Sequence, residues 1–362
     1  MIRNSNLKKY ITIIFIFIVS FAFLETCLRI YSKHNKVKLI GENQRSYIHP
    51  FFEEGELFKP YENFFIYKEN IKNKRFVNYF YEKNENKIIK IWDYKFSTNN
   101  YGFPQKNDLK KDEDSILFLG DSFTVGWGSE PWIDKFEGKI ENLQIINGGQ
   151  TGAGFWQFSQ LEEYFSKLFK IKKVIYIFIS PDVLRGRVIP KNTKCIKDYN
   201  ACIPKDVGMM TFPKSDLFDL NSYAFKAVQN GYRKDTRYRS QLKQVIRDLH
   251  IYIYLRSAIN SIRKKNDPVI KRNLDSVLKI KKKYDNNIIF IQISSPIDMG
   301  LKFKTYETKI VDNFFLNNNI KRFFCDFNND FKLLHKYDYH PNIKGYNKIF
   351  SCVKNVLENN LN

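Results

Sequence analysis

Histidine and cysteine are scarce in this sequence, five of each in 362 residues, and they form no cluster with the four-ligand spacing of a structural zinc site. No Walker loop and no G-x-G-x-x-G turn is present, so P-loop phosphate chemistry and the usual dinucleotide fingerprint are excluded. No internal repeat occurs, which excludes solenoids and propellers. Alanine is also rare, whereas lysine, asparagine, isoleucine, phenylalanine and tyrosine abound. That joint bias is what an AT-rich coding sequence imposes on any protein. The formal charge of +22 is therefore read as composition, not as a dedicated nucleic-acid or polyanion surface. With 43% hydrophobic residues the chain can bury a sizeable core, in one large domain or two modest ones.

The N-terminus carries the one long apolar run. "YITIIFIFIVSFAFL", residues 10–24, is apolar apart from Thr12 and Ser20, and the pattern continues through Cys27, Leu28, Ile30 and Tyr31. A helix over residues 10–31 would be roughly 33 Å long at 1.5 Å per residue, enough to cross a bilayer. Glu25 and Arg29 stand four apart near its far end and are spaced to pair. No small-x-small cleavage site follows, which favours an uncleaved anchor over a removable signal peptide. Arg3, Lys8 and Lys9 precede the span, and Arg29, Lys33, Lys36 and Lys38 follow it, so the positive-inside count does not fix its orientation. Cys195 and Cys202 bound a short loop-like segment whose spacing suits a disulfide in an oxidising compartment, with two free thiols as the alternative. Cys325 and Cys352 fall in an expected strand and the last helix and are given no role.

Beyond the 1–9 flank and the 10–31 anchor, residues 32–110 read as an irregular, partly β lead-in ending in the turn "FSTNNYGF". The pattern then changes. "SILFLG", "QIINGG", "KVIYIFIS", "NIIFIQIS" and "RFFCDF" are short Ile-, Val- and Phe-rich runs, most of them separated by longer polar segments. Apolar on both faces, they predict the parallel strands of an α/β sheet buried between helical layers over residues 111–362. The stretch from 182 to about 283 is too long for an ordinary crossover. That stretch is expected to carry helices near 240–264 and 268–283, with residues 185–265 forming a helical insertion that caps the sheet edge.

Ligands of open parallel sheets bind at the carboxyl ends of strands. Those ends read Gly120-Asp121-Ser122, then Asn147-Gly148-Gly149 with Gly152 and Gly154, then Ser180-Pro181-Asp182, then Ser294-Ser295-Pro296. Near the C-terminus, "KYDYHPNIKGY" supplies Asp338 and His340. A hydroxyl needs a base, a group to orient that base and donors for the oxyanion, and the chain has candidates for each. His335 is the competing base. Asp121 and Asp182 are expected to brace the strand-end loops, and Trp127, Phe155 and Trp156 to form core or pocket wall.

Together, "GDSFTVGWG", "NGGQTGAG" and "DYHPNIKGY" resemble three sequence blocks of the SGNH/GDSL hydrolase superfamily. With "NNYGF" and an N-terminal anchor, the chain is similar to a membrane-anchored bacterial branch of it. The resemblance covers about residues 96–182 and 286–358. It implies a three-layer α/β/α flavodoxin-like (SGNH hydrolase) sheet, hydrolysis or transfer of ester-linked acyl groups, and no cofactor or metal. It also implies Ser122 as nucleophile and oxyanion donor, His340 as base, Asp338 as its orienting partner and Gly149 as a second oxyanion donor, with Asp121, Asn147 and Asp182 in support. Two positions depart from the pattern. Pro181 stands where the family has an oxyanion asparagine, a loss worth on the order of 2.7–4 kcal/mol unless Ser180, Arg185 or the insertion substitutes. Tyr337 stands where the acid most often falls, three before the histidine, leaving Asp338 at a spacing of two. The expected activity is a serine esterase, anchored through residues 10–31 and extracytoplasmic, acting on acyl, notably acetyl, esters of a surface glycan or lipid. An O-acyltransferase on a surface polysaccharide and a non-catalytic binding module are the alternatives.

Overall fold

A computed structural model describes residues 3–34, 48–53, 57–61, 64–82, 85–140, 142–186, 267–299 and 304–360, with a few positions between 210 and 255. Cys195, Cys202, most of the 185–265 insertion and nearly all of its first expected helix lie outside the described residues. The chain divides into two units. The smaller comprises residues 1–43, 230–265 and 300–304 and contains α1 (Arg3–His34). Within α1, Thr12–Tyr31 is a 20-residue stretch of mean hydropathy 2.2, long enough to cross a bilayer. The expected pair forms there: Arg29 Nε donates to Glu25 Oε1 at 2.8 Å, while Glu25 Oε2 accepts the Ile251 N–H at 3.0 Å.

The larger unit opens with β1 (Ile48–Phe52), β2 (Phe58–Tyr61), β3 (Phe64–Tyr67), β4 (Lys74–Glu82) and β5 (Lys87–Phe96). It continues through β6 (Asp114–Gly120), α2 (Ser122–Val125), β7 (Gln144–Gly149), α3 (Phe155–Leu168), β8 (Lys170–Phe178) and β9 (Met210–Thr211). It ends with α4 (Pro268–Tyr284), β10 (Ile288–Ile293), α5 (Tyr306–Asn317), β11 (Arg322–Cys325) and α6 (Ile343–Glu358). Strands β11-β10-β8-β6-β7 form one sheet in which every pairing is parallel. Numbered within the sheet, the order is 2-1-3-4-5, the flavodoxin-like doubly wound arrangement, whose switch point lies between its first and third strands. Those strands are β6 and β8, so the crevice opens just beyond Gly120 and Phe178.

Period-2 alternation divides the strand side chains between two cores. Leu117, Leu119, Val174, Tyr176, Phe178 and Phe290 pack with Leu161, Phe165, Val277, Ile280, Val311 and Phe315 from α3, α4 and α5. Their neighbours Ile116, Phe118, Ile175, Ile177, Ile289 and Ile291 pack on the other face with Trp132, Phe136 and the α6 residues Tyr346, Ile349, Val353 and Leu357. Burial on both faces is why these strands read as unbroken apolar runs, and the result is the α/β/α sandwich. The short edge strand β11 is covalently held, since Cys325 is disulfide-bonded to Cys352 of α6. The sequence around each cysteine does not announce this bond.

Residues 48–96, expected to be irregular and partly β, carry the β2-β3 hairpin and three strands of a sheet of order β5-β4-β1-β9, whose last strand is Met210–Thr211. Its aromatic core unites Phe52, Phe65, Tyr67, Phe76, Trp92 and Phe96 with Val125 and Trp127, which follow Ser122 in the main chain. The lead-in sheet thus packs directly on the loop that presents the serine.

Candidate active site

Ser122 is placed by a turn that tolerates nothing larger than glycine at its start. A Cβ on Gly120 would lie 1.9 Å from Thr124 Oγ1 and 2.5 Å from the Ile177 carbonyl oxygen, so the chain leaves β6 tight against β8. Asp121 caps α2, its Oδ1 accepting the Phe123 N–H at 2.9 Å. Ser122 is 3% exposed, and its Oγ lies 2.9 Å from His340 Nε2. As the first residue of α2, its own N–H has no acceptor among the described residues.

His340 comes from the loop before α6. That loop is pinned by the His335 N–H donating to the His340 carbonyl at 2.8 Å and by Asn342, whose Oδ1 caps α6 through Lys344 and Gly345 N–H. Tyr339, between the acid and the histidine, has φ +59°, the left-handed region. This reversal lets a spacing of two work: it brings Asp338 Oδ2 to 2.9 Å from His340 Nδ1. Asp338 is buried, which alone would raise its pKa. The His340 charge and the hydrogen bonds from His340 and Trp92, with His335 adding, outweigh burial and hold it below the usual carboxylate range.

His335 is not at the serine. Its Nε2 lies 3.1 Å from the Gly128 carbonyl oxygen, and burial, with the nearby His340 charge, depresses its pKa. Its ring therefore braces the loop after Ser122 by donating to the Gly128 carbonyl. Asp121 and Asp182 meet through Arg185, whose Nη1 is 2.8 Å from Asp121 Oδ2, 2.5 Å from Asp182 Oδ1 and 3.2 Å from the Ala153 carbonyl oxygen. One guanidinium therefore ties together the loops after β6, β7 and β8. Asp182 Oδ2 also accepts the Ile179 N–H at 3.0 Å. Burial pushes the Asp182 carboxyl up, Arg185 pulls it down, and Asp121 adds to the upward push.

The oxyanion donors require a correction. The Gly149 N–H donates to Asn147 Oδ1 at 3.0 Å, so the amide expected only to support the site occupies the donor expected to serve it. Asn147 is itself fixed by Nδ2 donating to the Pro104 carbonyl at 2.8 Å. In the same glycine loop, Gly152 has φ +74°, and its N–H has no acceptor among the described residues. Ser180 does not replace the missing asparagine either. Its hydroxyl accepts from Gln292 Nε2 at 3.0 Å and Thr308 Oγ1 at 2.9 Å and faces Asp298 Oδ2 at 3.4 Å. Trp127 and Phe155 are buried, and Trp156 stacks under the Arg272 guanidinium at 4.4 Å. Among the described residues, no group of three or more His, Cys, Asp or Glu side chains is placed to hold a metal.

Two residues entered the site without being singled out as catalytic candidates. Trp92 Nε1 donates to Asp338 Oδ2 at 2.8 Å across 246 positions of sequence. Tyr67, from β3, places its hydroxyl 3.1 Å from Thr151 Oγ1 of the glycine loop.

No family model matches the sequence, and no curated protein matches it. Solved structures do match. The chain is similar to GDSL-type lipolytic structures. A lipase/acylhydrolase from Enterococcus faecalis is 10% identical, with 69% of this chain and 96% of that one covered and a TM-score of 0.35. A member of the lipolytic G-D-S-L family from Veillonella parvula is 13% identical, covering 68% and 98%, at a TM-score of 0.33. The psychrotrophic esterase EstA from Pseudoalteromonas sp. is 13% identical, covering 67% and 98%, at 0.34.

Proposed function

We propose that this chain is an SGNH/GDSL-type serine hydrolase that cleaves acyl esters, acetyl esters foremost, on a surface glycan or lipid. The observation that carries the reading is the line of contacts from Ser122 Oγ to His340 Nε2 at 2.9 Å and from His340 Nδ1 to Asp338 Oδ2 at 2.9 Å. A serine hydroxyl in contact with an imidazole, itself backed by a buried carboxylate, is an activated nucleophile.

In this mechanism, Ser122 Oγ attacks the ester carbonyl as His340 Nε2 takes its proton. Asp338 balances the imidazolium charge. The N–H groups of Ser122 and Gly152 donate to the oxyanion, a role supported by their lack of acceptors among the described residues. Collapse of the intermediate expels the alcohol, which receives the proton from His340. Water, deprotonated by the same histidine, then attacks the acyl-serine carbonyl; the bond to Ser122 Oγ breaks, the acyl group leaves as the acid, and His340 returns the proton to Ser122 Oγ.

The apolar segment Thr12–Tyr31 supports anchoring of the enzyme to a membrane. The Cys325–Cys352 bond supports placing the catalytic unit in an oxidising, extracytoplasmic compartment. The test is turnover of p-nitrophenyl acetate, butyrate and octanoate by the detergent-solubilised full chain beside Ser122→Ala and His340→Ala. The reading expects activity greatest on acetate and a loss of at least about four decades in kcat in each variant. Equal activity in all three proteins would overturn it.

A further inference from the structure

The lead-in sheet does more than cover the hydrolase fold. We propose that Trp92 is a positioning residue of the site: its indole N–H fixes the Asp338 carboxylate, so β4 and β5 complete the catalytic apparatus. This rests on the Ser-His-Asp reading above and extends it to a residue that the motifs around Ser122 and His340 do not include.

Three observations converge on Trp92. First, its Nε1 donates at 2.8 Å to Asp338 Oδ2, the same oxygen that faces His340 Nδ1. One carboxylate oxygen therefore takes both contacts, and the position of the indole sets where the imidazole must sit. Second, the strand is shaped to aim this side chain. The pairing of β4 with β5 runs Asn78↔Trp92 and then Tyr79↔Lys90, so Ile91 is an extra residue. A bulge of this kind re-aims neighbouring side chains and recurs beside active sites. Third, the indole is packed rather than free: Trp92 is 4% exposed, with the Phe76 ring 4.9 Å and the Trp127 ring 6.2 Å away, both edge-on. It also abuts the serine loop, since a Cβ on Gly128 would lie 3.2 Å from Trp92 Cδ1. A single rigid side chain thus spans the loop that carries the nucleophile and the loop that carries the acid.

A charge-assisted hydrogen bond to a buried carboxylate is stronger than a neutral one and costly to lose. Without the indole N–H the carboxylate becomes more basic and less constrained, and the imidazole loses its fixed orientation.

The experiment compares the full chain with Trp92→Phe, with Phe76→Leu, and with a chain carrying β-(3-benzothienyl)alanine at position 92. The last replaces the N–H by sulfur in a ring of the same shape. Phe76→Leu loosens the same aromatic cluster without touching Asp338. Two readouts are taken: kcat and the acid limb of the kcat/KM profile on p-nitrophenyl acetate, and the low-field NMR resonance of the His340 Nδ1 proton. The proposal expects both position-92 proteins to lose roughly ten- to a hundredfold in kcat, with KM little changed, the acid limb displaced to higher pH and the resonance shifted. Phe76→Leu should lower the melting temperature and leave the acid limb and the resonance in place. If the benzothienyl protein keeps the parental kcat, acid limb and resonance, Trp92 is only a packing residue and the proposal falls. The NMR readout needs no turnover, so a chain inactive on every ester would refute the esterase reading while still testing the placement of Asp338 by Trp92.

Discussion

Replacing Asp338 by asparagine isolates the charge behind the histidine. Asp338 Oδ2 takes the Trp92 N–H at 2.8 Å and faces His340 Nδ1 at 2.9 Å. An asparagine placing its single oxygen there keeps both contacts and removes only the negative charge. At an effective dielectric of 20, two unit charges about 3 Å apart attract by roughly 5 kcal/mol. That attraction exists only once His340 has become an imidazolium, so it belongs to the transition state and not to the bound ester. The expected loss in kcat is therefore about three to four decades, with KM changed little. The assay is steady-state p-nitrophenyl acetate hydrolysis by the folded full chain near pH 8, with circular dichroism to establish folding. A fall of less than tenfold would mean that the histidine charge does not develop against Asp338.

Two further predictions concern stability. Burial raises the Asp134 carboxyl from 3.8 to about 7. Its proton is thus held more tightly in the folded chain, so the stability it contributes is full below about pH 4 and is lost as pH rises through about 7. Asp134→Asn should leave the melting temperature unchanged at pH 4 and raise stability by up to about 4 kcal/mol at pH 8; a gain of equal size at both values would contradict the assignment. The Cys325–Cys352 bond closes a loop with a sequence separation of 27, for which the chain-entropy relation gives about 3.5 kcal/mol. Cys352→Ser should cost about that amount in denaturant titrations, and a loss below about 1 kcal/mol would show that β11 is held without the bond.

The extent to which the site was legible depended on how local each contact is. Ser122, His340 and Asp338 lie at a strand exit and a helix start, where glycine, asparagine and proline mark the chain turns directly. The spacing of two between Asp338 and His340 becomes intelligible only with the left-handed Tyr339, a backbone state that side-chain identity does not announce. Gly149 ends an apolar run, and only the family resemblance implies its role as an oxyanion donor. What occupies its N–H is the side-chain oxygen of Asn147, two residues earlier, reaching forward along the strand in a way no spacing rule encodes. Trp92 was hidden for the opposite reason. In "KIIKIWDYKF" it is one more apolar residue of a strand, and only the packing of two sheets reveals that its N–H meets a carboxylate far along the chain. The cysteines follow the same logic: a near pair in a loop attracts attention, whereas Cys325 and Cys352 become neighbours only when α6 lies against the sheet edge. The parallel sheet itself was legible because strands buried on both faces leave unbroken apolar runs.

The proposed chemistry requires that His340 activate Ser122. Treating the full chain with a fluorophosphonate and mapping the adduct by mass spectrometry tests this most directly, because the reagent modifies a serine that has a working base. A single adduct is expected on the peptide containing Ser122, absent in His340→Ala. A folded chain that takes up no label, or takes it up on another residue while Ser122 stays unmodified, would contradict it.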